Sequence, residues 1–355
     1  MPPTRLNQIP LRGTERRARL LSLIDGLRHC RVAVIGDFIA DEFIYGEVAR
    51  VSREAPVLIL KYDATQTLPG GAGNAASNVA SLGGRAVAAG IVGTDGEGRR
   101  LLASLPRGVQ KAGLVRSRAY RTPVKTRILA GGVHSAKQQV VRIDREPGWP
   151  VSAAVSQAFA RTIKRVVQDC DAVLLSDYGS GLVTPELAAL VQRAASRPRR
   201  RGRVPVLVDS RYRLLEYRGL TTCTPNQSEV EHVLGTIIPD DDPETLEWAG
   251  RTVLRRTRME AVLMTRGSRG MTLFEPGRKT LHVPIFGSDE VADVTGAGDT
   301  VLATFGLALA AGATFAEAAW LANYAGGLVV MKRGTATVSA DELAAAIGTD
   351  AEIGN

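Results

Sequence analysis

The chain has 355 residues, 45% hydrophobic and 23% charged, enough for one large domain or two ordinary ones around a substantial core. Aromatic residues make up only 5%, too few for a nucleic-acid surface built on base stacking. The net charge of +9 is clumped in two arginine runs (Arg12, Arg16, Arg17, Arg19 and Arg197, Arg199, Arg200, Arg201, Arg203). They are read as solvated helix-end and loop charge that draws in small anions, not as a nucleic-acid or membrane patch.

Apolar periodicity predicts a helix over residues 15–27, placed in an N-terminal helical extension, 1–30. Residues 31–36 read as a buried strand ending at Gly36-Asp37. Residues 38–65 mix short apolar runs with charge and read as exposed strands. Pro69-Gly-Gly-Ala-Gly-Asn74 reads as a glycine-rich loop feeding a helix over 75–82, followed by a strand over 87–92. Segment 118–145 offers a hairpin, 124–129 against 139–143, around Gly131-Gly132. Strands at 172–175, 204–208, 221–224 and 261–265 then alternate with helices at 185–195 and 242–257. Helices over 299–311 and 315–330 close a domain expected to span 31–345, with 346–355 as a tail. Alternation of this kind implies an α/β fold, a parallel sheet with helices on both faces. The segments at 38–65 and 118–145 interrupt it and are expected to form a small separate sheet.

Cys30, Cys170 and Cys223 form no C-x-x-C pair, so neither a disulfide framework nor a zinc site is expected. With no apolar leader, and an apolar run at 301–313 too short to span a bilayer, the expectation is a cytoplasmic protein with no membrane partner.

Asp293-Val-Thr-Gly-Ala-Gly-Asp-Thr300 carries the chemistry. A Gly-x-Gly turn opening a helix exposes successive N–H groups at the positive end of a helix dipole, a seat for an anion. Asp299, in the first turn of that helix, stands where a carboxylate can take a proton from a hydroxyl attacking a phosphoryl group.

This octapeptide closely resembles the C-terminal signature of the PfkB/ribokinase family of carbohydrate kinases, and the likeness runs from about residue 30 to 345. The resemblance implies a ribokinase-like three-layer α/β/α sandwich with a small β-sheet lid. It also implies Mg2+ and ATP, with Asp299 as base and the amides of Gly296, Ala297 and Gly298 as anion hole. Asp37, Asn74 and the backbone at Gly70 and Gly71 would hold sugar hydroxyls. Asn226-Gln-Ser-Glu229 matches the family's Asn-x-x-Glu element, with Glu229 reaching magnesium through water. Thr265, Gly267 and Gly270 would border the nucleotide, and Asn323 and Gly326 the adenine. The family's lids often pair between subunits, which implies a homodimer through the lid.

Tyr45-Gly-Glu-Val-Ala-Arg-Val-Ser-Arg-Glu-Ala-Pro-Val57 and Gln138-Gln-Val-Val-Arg-Ile-Asp144 look like the lid segments of the family's heptose-phosphate kinases. Those enzymes phosphorylate O1 of D-glycero-β-D-manno-heptose 7-phosphate. Ser176-Asp-Tyr178 is similar too, so Gln139 and Asp177 are assigned to this sugar phosphate by resemblance, and Arg50, Lys125, Arg127 and Arg142 as cations of the lid segments that suit its phosphate. Two places depart from the pattern: Ser180 where those kinases usually carry Lys, and Asp209-Ser-Arg-Tyr212 for their Asp-Pro-Lys-Gly. Arg keeps the charge of Lys but not its geometry. A PfkB kinase for a hexose phosphate, pentose or nucleoside stays open, as does a non-catalytic sugar- or nucleotide-sensing protein. A dinucleotide-binding dehydrogenase is set aside because Gly36-Asp37-Phe38-Ile39, not Gly-x-Gly-x-x-Gly, follows the first strand.

Overall fold

The computed structural model describes residues 13–131, 137–147, 151–196, 203–287, 293–332 and 334–350. The expectations placed on Arg12, Gly132, Arg197, Arg199, Arg200 and Arg201, and on 1–12 and 351–355, lie outside those residues.

Helix α1 (Gly13–Leu27) leads into β1 (Arg31–Gly36). Two long strands follow, β2 (Phe38–Val51) and β3 (Leu58–Gly71), then α2 (Ala72–Ser81), β4 (Arg85–Gly93), α3 (Gly96–Ser104) and β5 (Val109–Ser117). A second excursion makes β6 (Val124–Gly131) and β7 (Gln138–Arg145). Next come α4 (Ala153–Gln168), β8 (Ala172–Asp177), α5 (Pro185–Ala195), β9 (Val206–Ser210) and β10 (Thr222–Cys223). They are followed by α6 (Gln227–Leu234), α7 (Pro243–Thr257), β11 (Ala261–Thr265), β12 (Met271–Phe274) and β13 (Leu281–Val283). Helices α8 (Ala297–Ala310), α9 (Phe315–Val330) and α10 (Ala340–Thr349) come last.

Nine strands form the main sheet in the order β13-β12-β11-β10-β9-β8-β1-β4-β5. It is parallel apart from β12 and β13. Its central strands read as continuous apolar runs because both faces are covered. In β1, Val32 and Val34 join one core cluster with side chains of α1, α2, α8, α9 and α10, while Ala33 and Ile35 join another with α4, α5 and α7. This is the three-layer sandwich expected. Leu20, Leu23, Ile24 and Leu27 of α1 are buried in the first cluster, so the N-terminal helix belongs to the domain core. Cys30, Cys170 and Cys223 are buried and none of them is in a disulfide.

The four remaining strands form a separate sheet, β3-β2-β6-β7, which is the lid. Its two segments begin where expected, but the short apolar runs prove to be two 14-residue strands. The first half of β2 is buried rather than exposed, because it packs where the lid joins the core. The glycine-rich loop is also corrected: Gly70 and Gly71 are still paired in β3, opposite Ile39 and Phe38, and α2 starts at once at Ala72. Gly71 turns the chain with φ +56°, and a Cβ there would stand 2.5 Å from the Asp37 carbonyl oxygen. The run at 301–313 is the buried helix α8, and no helix among the described residues is long and apolar enough to cross a membrane.

Candidate active site

The parallel strands point their C-terminal ends at one edge of the sheet, where acids gather: Asp37 after β1, Asp177 on β8 and Asp209 on β9. Open α/β sheets bind ligands at that edge. Helix α8 starts there too. Gly296 caps it with φ +79°, in the left-handed region, and a Cβ at that position would lie 2.4 Å from Asn74 Nδ2. The Ala297 amide donates to the Val294 carbonyl at 3.2 Å, so this member of the expected anion hole is occupied within the turn. The Gly298 and Asp299 amides carry no backbone partner among the described residues, and Gly298 is exposed to the cleft. A helix's first N–H groups are the ones left free for an anion.

Asp299 is 2% exposed. Asn74 Nδ2 donates to its Oδ2 at 3.0 Å, and the Tyr178 hydroxyl lies 3.1 Å from both oxygens. Burial pushes its pKa up to about 7, against these hydrogen bonds and with Asp41 adding to the rise. A base titrating there is matched to neutral-pH proton transfer. Asn74 was assigned to sugar hydroxyls. In the structure its amide nitrogen also approaches the Gly296 carbonyl at 3.3 Å, and its Oδ1 accepts from Asn78 Nδ2 at 3.1 Å. Its side chain therefore orients the Asp299 carboxylate.

Asp37 is fully buried and raised to about 6 by burial, offset by the donors around it. The Tyr178 amide donates to its Oδ2 at 2.9 Å, and the Ser180 hydroxyl donates to Oδ1. Ser180, one of the two departures, is thus a ligand of Asp37. Asp177 has both oxygens engaged by protein donors, Gly179 N at 3.0 Å on one and the hydroxyls of Ser210 (2.7 Å) and Tyr217 (2.6 Å) on the other. It braces the strand ends.

Asn226 and Glu229 form a reciprocal capping box on α6: Glu229 N donates to Asn226 Oδ1 at 2.8 Å, and Asn226 N to Glu229 Oε2 at 2.9 Å. Burial, with Glu229, Asp299 and Asp177 nearby, drives Asp209 well above the usual carboxylate range, and burial raises Glu229 as well. Acids crowded so closely at a cleft suit a divalent cation and its water shell. Among the described residues no three Asp, Glu, His or Cys side chains converge to hold a metal directly. Gly267 (φ +57°) and Gly270 (φ +74°) shape the turn after Thr265, and the Thr265 amide donates to the Pro225 carbonyl at 2.9 Å. Asn323 donates to the Pro284 carbonyl at 2.8 Å, tethering α9 to the segment after β13. A Cβ at Gly326 would lie 3.4 Å from Met271 and Val301.

The lid's register gathers its charges on one face. Asp41 pairs with Lys125 and Lys125 with Asp144; Phe43 pairs with Arg127 and Arg127 with Arg142. Paired residues share a face. Arg127 bonds Asp41 at 2.9 Å, Thr335 reaches Asp41 at 3.2 Å, and Arg142 bonds Asp144 at 2.7 Å. Lys125 Nζ sits 4.3 Å from the centre of the Tyr178 ring. Burial holds it below the ordinary lysine value, helped by Arg211 and Arg142 and opposed by Asp41 and Asp144. Arg50 and Gln139 are exposed farther out on β2 and β7. The structure thus brings Lys125, Arg127 and Arg142 together and leaves Arg50 and Gln139 at the periphery.

Asp41, Asn78 and Asp209 were missed as site residues, and Tyr178 was quoted only as part of a motif. Asp209 could have been found as an acid closing a parallel strand. Asp41 could have been found from its period-two spacing with Phe43 and Tyr45. Nothing in the sequence pairs Tyr178 with a residue 121 positions away.

Residues 31–342 match the family described as pfkB family carbohydrate kinase. Among curated relatives, the bifunctional protein HldE of Geobacter metallireducens is 40% identical over 346 residues, covering 96% of this chain and 68% of that protein. The HldE of Aeromonas salmonicida is 41% identical over 326 residues, covering 91% of this chain and 65% of that protein. The chain spans about two thirds of the length of these relatives. Among solved structures, Arabidopsis thaliana ribokinase, complexed with ribose and ATP, aligns with TM-score 0.69 at 21% identity over 90% of this chain and 99% of that one. Escherichia coli phosphofructokinase-2 aligns with TM-score 0.70 at 18% identity over 90% and 98%. At those identities the likeness shows the fold, which is ribokinase-like.

Proposed function

The chain belongs to the pfkB family of carbohydrate kinases, and on that premise we propose that it transfers the γ-phosphoryl group of ATP to O1 of D-glycero-β-D-manno-heptose 7-phosphate. The likeness to HldE proteins over most of the chain supports a heptose phosphate. The observation that carries the reading is the pairing of a buried, near-neutral base at a helix N-terminus with a lid whose inward face bears three cations.

Asp299 accepts the proton of the sugar O1 hydroxyl as that oxygen bonds to the γ-phosphorus. The bond to the ADP oxygen breaks, and ADP leaves with the electron pair. The free amides at the start of α8 face the negative charge on the transferring group. Asp37 orients a sugar hydroxyl. Lys125, Arg127 and Arg142 favour the sugar's own phosphate, and lid closure keeps out water that would otherwise be phosphorylated. Glu229 would hold Mg2+ through water, and the ion supplies neutralisation of phosphate oxygens when bound. The turn at Thr265, Gly267 and Gly270, with α9 at Asn323 and Gly326, would border the nucleotide.

On the same reading the enzyme acts in the cytoplasm as a homodimer that packs lid against lid. Support comes from the lid's outer face, where register aligns Ile44, Ile128 and Val141 and sets Ile143 beside Thr126. Tyr62 is 70% exposed on the neighbouring strand.

The test is ADP release with Mg-ATP and the heptose 7-phosphate, against fructose 6-phosphate, ribose and adenosine. Preferred turnover of the heptose phosphate, with a 1,7-bisphosphate seen by 31P NMR, is the expected result. Preference for another acceptor would reassign the lid cations.

A further inference from the structure

Tyr178 makes three contacts that no single role explains. Its amide donates to Asp37 at 2.9 Å, its hydroxyl meets both Asp299 oxygens at 3.1 Å, and its ring lies under Lys125 of the lid at 4.3 Å. Gly71 leaves room beside the ring, where a Cβ would stand 3.4 Å from it. We propose that Tyr178 is the positioning residue through which the lid acts on the catalytic base: its phenol holds the Asp299 carboxylate and its ring carries Lys125. This rests on the reading of Asp299 as the base.

Burial and the carboxylates of Asp299, Asp209 and Asp41 hold Tyr178 well above the ordinary tyrosine value. The phenol therefore stays protonated and acts as a donor. A donor on a carboxylate favours the ionised form. Asn74 on α2 and Lys125 on β6 act on Asp299 in the same sense. Asp41 on β2 acts against them, and Asp209 on β9 is a further carboxylate in repulsion with it. A carboxylate has about four lone-pair positions. One donor on Oδ1 leaves room there for the attacking hydroxyl. A cation over the ring draws electron density from it and strengthens the phenol as a donor. Because Lys125 sits on the lid strand β6, that strengthening depends on where the lid stands.

Tyr178→Phe keeps the ring and its cation contact and removes only the donor. The measurement is a 13C NMR titration of aspartate carboxyls in the free enzyme, with Asp299→Asn assigning the resonance. The expected result is that the Asp299 midpoint rises by roughly one pH unit in Tyr178→Phe. Lys125→Met should raise it further in wild type than in the Tyr178→Phe background. A direct charge effect persists in both backgrounds, whereas a relay through the phenol does not. An unchanged midpoint in Tyr178→Phe overturns the positioning role, and additive effects overturn the relay. With Mg-ATP and the heptose 7-phosphate, Tyr178→Phe should lose kcat roughly tenfold, with its acid limb moved to higher pH and the KM for ATP unchanged. Near wild-type turnover by Asp299→Asn would sink the base assignment instead, while the carboxyl titration still decides what Tyr178 does.

Discussion

The floor of the cleft and the lid above it are built from opposite charges. In the floor Asp37, Asp209 and Asp299 converge from the ends of strands and the start of α8, and burial raises all three. In the lid Lys125, Arg127 and Arg142 line one face, held by Asp41 and Asp144. An acidic floor alone would repel ATP and a sugar phosphate; a cationic lid alone would bind anions without a base. The proposed base thus stands on the floor and the phosphate-binding cations on the lid, with Tyr178 as the contact between them.

The sharpest break is Asp299→Asn, expected to lower kcat by about 10³-fold while the protein stays folded. Steady-state ADP release beside thermal unfolding checks it. Next comes Gly296→Ala, whose Cβ would meet Asn74 at 2.4 Å on a backbone with φ +79°. Displacing the Asn74 contact misplaces the base, and kcat should drop by roughly 10²-fold. Loss of stability without loss of kcat would show that the turn serves only the fold.

Stability against pH sharpens the floor's side of the comparison. Asp37 and Asp299 titrate near 6 and 7 in the folded chain against an ordinary 3.8. Between about 4 and 7 the folded state therefore holds more protons than the unfolded one, so these groups make stability fall as pH rises through that window. Asp299→Asn should gain roughly 2–3 kcal/mol on wild type between pH 5 and pH 7.5 in urea unfolding. Equal stability at both pH values would mean that burial does not strain this carboxyl. The smallest effect belongs to the lid's outer face: Ile143→Lys should shift sedimentation toward the monomer and leave the base's pH profile in place. An unchanged sedimentation profile would remove the lid-to-lid dimer.

What could be read in advance follows from how local each signal is. Buried parallel strands such as β1 and β11 announce themselves as apolar runs, and α8 through its Gly-Ala-Gly turn. Helix α3 was missed because its Gly96-Glu-Gly-Arg-Arg start is polar and only Gly98 and Leu101 are buried. The edge strand β13 and its neighbour β12 are too short for a clear period. Within the site, Asp299 and Asp37 were marked by adjacent glycines. The protein contacts of Asn74 could not be foreseen because its partners, Gly296 and Asp299, lie more than 220 positions away. Long-range hydrogen bonds leave no trace in spacing, and a residue's type does not say whether it faces ligand or protein.

The most direct test of the division between floor and lid measures two quantities on one sample of Asp299→Asn: turnover, and calorimetric affinity for D-glycero-β-D-manno-heptose 7-phosphate. Turnover should collapse while the sugar phosphate binds within about threefold of wild type, since the lid cations are untouched. Turnover near the wild-type rate, or binding lost together with turnover, would contradict it.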